Sequence, residues 1–173
     1  NLPSWDFSRD GKVWSQVAVP HDWAIAGPFD KKWDLQMVAI EQNGEKEKSE
    51  KSGRSGALPW IGEGMYKMNW MAPKGYKRAV LVFDGAMSQP VVTVNGKEAG
   101  KWAYGYNAFR IDITPFIQFG KSNLIEVHLN NVEESSRWYP GGGLYRPVSV
   151  ELYGNENFST WDTFVRTLKA NRQ

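Results

Sequence analysis

Apolar side chains recur at every second position along much of the chain, the pattern of a β-strand that buries one face. This alternation predicts six strands, around residues 66–72, 79–83, 91–94, 109–113, 125–129 and 148–152. The run at 79–83 is apolar throughout, which is typical of a strand covered on both faces. Asn95-Gly96 follows the third strand and predicts a two-residue hairpin turn, because both residues tolerate positive φ.

Helical periodicity is weak by comparison. No stretch of helical length carries an apolar stripe, which disfavours a parallel α/β fold. One helical turn is predicted at residues 114–117, with Thr114 as its N-cap, Pro115 at its first position and Gly120 ending it. Short strands separated by Gly, Pro and Asn turns therefore predict an all-β fold, an antiparallel β-sandwich or jelly roll.

Residues 41–56 form the one compositionally biased segment of the chain. They read EQNGEKEKSEKSGRSG, with mixed charges and little apolar surface to bury. We expect a mobile loop there, with a partner-docking arm as the alternative.

The composition excludes several classes of site and partner. The chain of 173 residues has no Cys, which excludes disulfides, thiolate metal sites and Cys nucleophiles. It has two His, which leaves little room for a His-based metal site, so we expect no metal and no cofactor. Lys and Arg number 21 against 19 Asp and Glu, so we expect no nucleic-acid partner. No apolar run approaches the ~18–20 residues of a membrane span, and we expect no membrane partner.

Motifs of catalysis are missing as well. The sequence contains no G-x-S-x-G elbow and no phosphate-binding glycine pattern at a strand–helix junction. A glycosidase needs two carboxylates across a cleft, and no spacing in this chain singles out such a pair. These motifs therefore single out no catalytic residue.

Three segments carry denser chemistry. Residues 19–23 contain His21 and Asp22, which we expect to satisfy backbone groups as the chain turns. Residues 100–109 contain glycines and three aromatic side chains, Trp102, Tyr104 and Tyr106, with Asn107 beside the last of them. Aromatic faces with a nearby amide suit the C–H faces and hydroxyls of a sugar. The alternative is that these side chains pack in the core and at its rim. Residues 137–146 contain Arg137, Trp138 and Tyr139 before a run of three glycines, which predicts a sharply turning loop able to face a ligand or another domain.

Short motifs occur in a fixed order over about residues 13–153. They are Val19-Pro20-His21-Asp22-Trp23, Gly64-Met65-Tyr66, Trp70-Met71-Ala72-Pro73, Phe83-Asp84-Gly85, Val94-Asn95-Gly96, Gly105-Tyr106 with Phe109-Arg110-Ile111-Asp112-Ile113-Thr114, Arg137-Trp138-Tyr139-Pro140-Gly141 and Leu144-Tyr145-Arg146-Pro147-Val148. In this order they resemble the N-terminal sugar-binding (jelly-roll) domain of glycoside hydrolase family 2. The Pro-His-Asp-Trp form resembles the β-galactosidase branch more narrowly.

The resemblance implies a domain organisation. It implies a galactose-binding-domain-like jelly roll over 1–153, and a tail over 154–173 that resembles the truncated start of an immunoglobulin-like domain. Family members carry both catalytic glutamates on a (β/α)₈ barrel that follows, so this chain is not expected to hydrolyse a substrate by itself. The implied partners are a carbohydrate, either a β-galactoside or a larger glycan, and the immunoglobulin-like and barrel domains of the parent enzyme.

The resemblance also implies a substrate site and a location. The loop with Arg137, Trp138 and Tyr139 approaches the mouth of the barrel in relatives, and we add Tyr106 and Asn107 from the aromatic segment as substrate-binding candidates. The parent enzyme is expected to hydrolyse terminal β-galactosides in a bacterial periplasm or outside the cell, with the cytoplasm as the alternative.

Three functions compete at this point. The first is a non-catalytic scaffold that forms one wall of a glycosidase substrate site. The second is a stand-alone carbohydrate-binding module, which the aromatic content favours. The third is a packing domain without sugar affinity, whose exposed aromatic side chains face its partners.

Overall fold

The computed structural model describes residues 1–27, 29–30, 60, 62–131, 141–158 and 163–171, and the backbone of 38–39 and 48–49. Strands β1 to β11 and the helix α1 occur in these residues. Their bounds are β1 Ser4–Ser8, β2 Ser15–Ala18, α1 Trp23–Ala26, β3 Val38–Ala39, β4 Lys48–Ser49, β5 Glu63–Met71, β6 Arg78–Phe83, β7 Val91–Val94, β8 Lys97–Lys101, β9 Phe109–Asp112, β10 Ser122–Asn130 and β11 Val148–Tyr153, with a 3₁₀ turn at Thr114–Phe116 before β10.

Two antiparallel sheets form the body of the fold. The larger has the strand order β2-β1-β5-β10-β7-β8, and the smaller has the order β11-β6-β9. Side chains from both sheets enter one buried apolar cluster. Among the described residues, β3 and β4 pair with each other and form a separate two-stranded sheet. The predicted all-β antiparallel sandwich is confirmed.

The six predicted strands are all present, and the alternation accounts for their burial. Along β10, Ile125, Val127 and Leu129 are buried and the residues between them are only partly so. β6 is buried on both faces from Ala79 to Phe83, as its continuous apolar run predicts.

The hairpin between β7 and β8 forms at the predicted dipeptide. Asn95 has φ 51° and Gly96 has φ 77°, both in the left-handed region. The Asn95 side chain donates to the Phe116 carbonyl at 2.8 Å and accepts from the Leu124 amide at 3.0 Å, so the turn is tied to β10.

The predicted helical turn is real, but its predicted N-cap is wrong. The turn begins at Thr114 itself, and the cap position is Ile113. The Thr114 hydroxyl accepts from the Ala79 amide at 3.0 Å, so it serves the neighbouring strand instead. At the start of the turn it is the Asp112 carboxylate that accepts from a backbone amide, that of Thr114, at 3.0 Å.

Five strands, β1, β2, β3, β4 and β8, were not predicted by the alternation. The segment 41–56 lies outside the described residues, apart from the backbone of Lys48–Ser49, which pairs with β3. After Tyr153 the described residues contain no strand. Four apolar side chains there are 85–88% exposed: Phe158, Phe164, Val165 and Leu168.

Candidate functional site

Asp22 connects two separate parts of the chain. One carboxylate oxygen, Oδ1, accepts from the Ala24 amide at 3.0 Å and caps α1. The same atom accepts from the Gly142 amide at 3.0 Å, 120 residues further along the chain. The predicted role of this residue, to satisfy backbone groups at a turn, is confirmed.

His21 contacts the inner face of the large sheet through Tyr66. Its Nδ1 lies 2.7 Å from the Tyr66 hydroxyl, which accepts from the Leu144 amide at 3.4 Å. Burial raises the pKa of Tyr66 far above its usual value, and burial lowers the pKa of His21. The phenol therefore keeps its proton, and the pair is a structural contact. The His21 ring was expected to satisfy a backbone group, but it contacts the Tyr66 side chain instead, and only the His21 amide bonds the backbone, donating to the Leu144 carbonyl at 2.7 Å.

Trp23 is completely buried, and its close packing explains why residues 141–143 are glycines. Its ring stacks on Phe7 at 5.6 Å between centroids. A Cβ at Gly142 would lie 2.6 Å from Cε2 of Trp23, and a Cβ at Gly143 would lie 2.7 Å from the His21 carbonyl oxygen. Gly141 and Gly143 also have positive φ, 73° and 104°. The predicted sharp turn is confirmed, and close packing requires its lack of side chains.

The residues on either side of the segment 132–140 are bonded to each other. Asn131 Nδ2 donates to the Gly141 carbonyl at 2.8 Å, and the Asn131 amide donates to the Gly62 carbonyl at 2.9 Å. The next residue, Gly142, is bonded to Asp22 in the His21-Asp22-Trp23 turn. The substrate-binding candidates Arg137, Trp138 and Tyr139 belong to this segment and lie outside the described residues.

The loop between β8 and β9, here called the aromatic loop (residues 102–108), begins on a stack of rings. Trp102 stacks on Phe109 at 5.5 Å with an interplanar angle of 7°, and Phe109 stacks on Phe83 at 4.6 Å and 8°. Trp102 Nε1 donates to Asn107 Oδ1 at 3.0 Å. The stack therefore fixes an exposed indole to the core between the sheets.

The backbone of the aromatic loop at Gly105 and Tyr106 is bonded by two residues that follow the glycines 141–143. The Tyr145 hydroxyl donates to the Gly105 carbonyl at 2.9 Å, and Arg146 donates to the Tyr106 carbonyl at 3.1 Å. The Tyr106 ring lies 5.5 Å from that of Tyr104, and the two side chains are 36% and 59% exposed. Sugar contact by Tyr106 and Asn107 stays a prediction.

The sequence did not single out Asn131, Tyr145 or Arg146 as individual residues. Their contribution depends on hydrogen bonds to backbone carbonyls 10 to 40 residues away, and the motif Leu144-Tyr145-Arg146-Pro147-Val148 includes two of them without indicating these bonds.

Within the described residues, no group of three or more His, Asp or Glu side chains is arranged to hold a metal ion. Among the same residues, no helix is both long enough and apolar enough to cross a membrane.

The sequence of the chain is similar to those of bacterial glycosidases. The chain is 32% identical over 157 residues to a β-galactosidase of Bacteroides ovatus, which covers 89% of this chain and 16% of that protein. It is 31% identical over 174 residues to a putative β-glucuronidase of Formosa agariphila, covering 97% of this chain and 15% of that protein. No family model matches the chain.

The solved structures agree with the sequence relatives. A glycosyl hydrolase family 2 member from Bacteroides cellulosilyticus superposes with a TM-score of 0.76 at 28% identity, over 98% of this chain and 22% of that one. The chain thus spans less than a quarter of the length of the proteins that it matches here. By sequence and by fold, it belongs to glycoside hydrolase family 2 and corresponds to a domain-sized part of those longer enzymes.

Proposed function

We propose that the chain is the non-catalytic sugar-binding and scaffold domain of a β-galactosidase-like family 2 enzyme that hydrolyses terminal β-galactosides in carbohydrate metabolism. The observation that carries this proposal is the pair of hydrogen bonds made by the residues next to the segment 132–140. Asn131 Nδ2 donates to the Gly141 carbonyl, and the Gly142 amide donates to the Asp22 carboxylate beside the buried Trp23. Binding residues occur preferentially next to rigid framework elements of this kind.

The residue types in that segment suit a sugar. An arginine guanidinium carries five N–H donors for hydroxyl oxygens, and aromatic faces pack on the C–H faces of a sugar ring. We propose that Arg137, Trp138 and Tyr139 form one wall of the substrate site. Tyr106 and Asn107 extend that wall, and the contacts of Tyr145 and Arg146 with the aromatic loop support this assignment.

The acid, base and nucleophile are assigned to parts of the parent enzyme outside this chain. We propose that its immunoglobulin-like and barrel domains are the protein partners of the chain, and the exposed apolar side chains after Tyr153 support a partner on that segment. We assign the parent enzyme to the periplasm or the exterior of a bacterial cell, where polymeric glycans are met, and its bacterial relatives support this assignment.

Two assays of the purified chain test the proposal. With 4-nitrophenyl β-galactoside and 4-nitrophenyl β-glucuronide, we expect no release of nitrophenol above the buffer rate. In a nuclear magnetic resonance titration, we expect methyl β-galactoside to shift the signals of Tyr106, Asn107 and residues 137–139. Arg137→Ala should weaken these shifts, and Arg166→Ala, in the exposed tail, should not.

Turnover of either glycoside by the chain would contradict the non-catalytic role. Stronger binding of methyl β-glucuronide than of methyl β-galactoside would contradict the galactoside assignment, while leaving the family assignment in place.

A stand-alone carbohydrate-binding module is the second candidate, and the ordered, exposed rings of Trp102, Tyr104 and Tyr106 favour it. Under that alternative the chain alone binds a glycan as tightly as any longer polypeptide that contains it.

A packing domain without sugar affinity is the third candidate. It predicts no heat with any sugar at millimolar concentration, together with self-association in sedimentation experiments.

A further inference from the structure

The outer face of the large sheet carries a row of side chains that crosses four strands. The strand register places Met65 opposite His128, His128 opposite Val91, and Val91 opposite Lys101. Residues directly opposite each other in antiparallel strands project to the same face. At about 4.8 Å between strands, the row is about 14 Å long.

A cleft of about 270 Å³ lies over one end of this row, and its polar side chains are held in place. Glu126 and His128 line it with Thr93, whose hydroxyl donates to Glu126 Oε2 at 3.1 Å. His128 Nε2 lies 3.2 Å from Glu63 Oε2. The cleft thus offers a carboxylate, an imidazole and a hydroxyl over a partly apolar floor.

Trp14 forms a wall of the same cleft. Its Nε1 donates to the Gly11 carbonyl at 3.1 Å, and the Lys67 ammonium lies 3.8 Å from the ring centroid. Both contacts fix the orientation of an indole that is only partly buried.

A second cleft, of about 540 Å³, lies at the other end of the row. Val91 and Lys101 line it together with Trp102 and Tyr104. Val91 lines both clefts, so the two meet there. We call the combined depression, from Trp14 past Val91 to Tyr104, the outer-face groove.

We propose that the outer-face groove binds a neutral, hydroxyl-rich oligosaccharide. Aromatic rings stand at both of its ends, and polar side chains of both charge signs lie between them, which suits hydroxyl groups better than an anionic or an apolar ligand. Each cleft approaches or falls within the roughly 300–1,000 Å³ of small-ligand sites. This site goes beyond the role proposed for the segment 132–140 and does not depend on it.

The test is calorimetric titration of the full chain with β-1,4-galactotriose, cellotriose and galactose, with ¹⁵N nuclear magnetic resonance to locate the contact. We expect at least one trisaccharide to bind more tightly than galactose and to shift the signals of Val91, Lys101 and His128. Trp14→Ala and Tyr104→Ala should each weaken binding about fivefold to tenfold, the loss expected of one stacking ring.

Two further variants separate binding from folding. Tyr76→Ala removes a ring of similar exposure, 40%, outside the groove and should leave the affinity unchanged. Glu126→Gln keeps the acceptor for Thr93 and should weaken binding without lowering the unfolding midpoint.

Three results would overturn the proposal. The first is no binding of either trisaccharide, and the second is an affinity of Trp14→Ala, Tyr104→Ala and Glu126→Gln equal to that of the unaltered chain. The third is nuclear magnetic resonance shifts confined to Tyr106, Asn107 and residues 137–139. The last of these would still agree with the substrate-wall role, so the two proposals fail separately.

Discussion

Nδ1 of His21 lies 2.7 Å from the hydroxyl oxygen of Tyr66, and this contact joins the turn after β2 to the inner face of β5. Because the same hydroxyl accepts from the Leu144 amide, three segments distant in sequence share one polar atom. Burial lowers the pKa of His21, because this site solvates a charged imidazolium poorly, and the fold is therefore sensitive to the protonation of His21.

We therefore expect the free energy of unfolding to fall as the pH decreases below about 6.5. Burial lowers the pKa of His21 in the folded chain, so above that pH both states hold a neutral imidazole and stability is constant. Below it the unfolded chain binds the proton first, and stability declines until the pH passes the lowered folded pKa. Urea unfolding at several pH values between about 7.5 and 5.5 measures this, because carboxylates titrate mainly at lower pH.

His21→Asn should abolish the decline in this window, and His128→Asn, at an exposed site, should retain it. A flat profile for the unaltered chain would show that His21 titrates alike in the folded and unfolded states.

Gly142→Ala should destabilise the fold by about 1–3 kcal/mol, the usual cost of overpacking. The added Cβ would lie 2.6 Å from Cε2 of Trp23, whose ring is completely buried. Gly143→Ala should cost more, because a φ of 104° strains any residue with a side chain. Urea unfolding measures both changes. Gly154→Ala is the matched control, since nothing lies within 4 Å of its Cβ position, and a loss there equal to that of Gly142→Ala would refute the packing argument.

Asp22→Ala should cost about 1–2 kcal/mol through loss of the N-cap of α1, with a further loss at Gly142. Both the Ala24 and Gly142 amides donate to the removed oxygen, so both should exchange hydrogen faster. Asp22→Asn retains an acceptor at that position and should preserve most of the protection. Faster exchange at Ala24 alone would mean that Gly142 is held by other contacts.

Tyr145→Phe should cost about 1 kcal/mol, the net value of one hydrogen bond. It removes the donor to the Gly105 carbonyl, and with it one of the attachments of the aromatic loop. Amide exchange at Tyr106 and Asn107 should accelerate. Tyr104→Phe, at an exposed ring, serves as the control, and equal effects of the two variants would argue against a specific role for the Tyr145 hydroxyl.

The strands that the alternation predicted are those with a buried face, and two of the three that it missed in the large sheet lie at the edges of that sheet. β2 and β8 are its two edge strands and are largely exposed, so backbone pairing defines them more than side-chain burial does. β1 is short, and its alternation rests on Trp5 and Phe7 alone. The N-cap at Thr114 was wrong for a similar reason, since a contact with β6 outweighs the local preference.

The candidate site was predictable in its local part. His21 and Asp22 at a turn, and glycines where the chain bends, follow from residue type. A side chain at Gly142 would clash with Trp23, which lies 119 positions earlier in the chain. A contact between residues so far apart in sequence leaves no local sequence pattern from which it could be predicted. The same holds for the hydrogen bond between Tyr145 and Gly105.

The Asn131–Gly141 hydrogen bond joins two residues that are ten positions apart in the chain and are both buried. A substitution that removes the Asn131 side chain would leave the buried Gly141 carbonyl without this donor, which costs about 1–3 kcal/mol. The side chain at position 131 is therefore constrained by a backbone group that no substitution at position 141 can change.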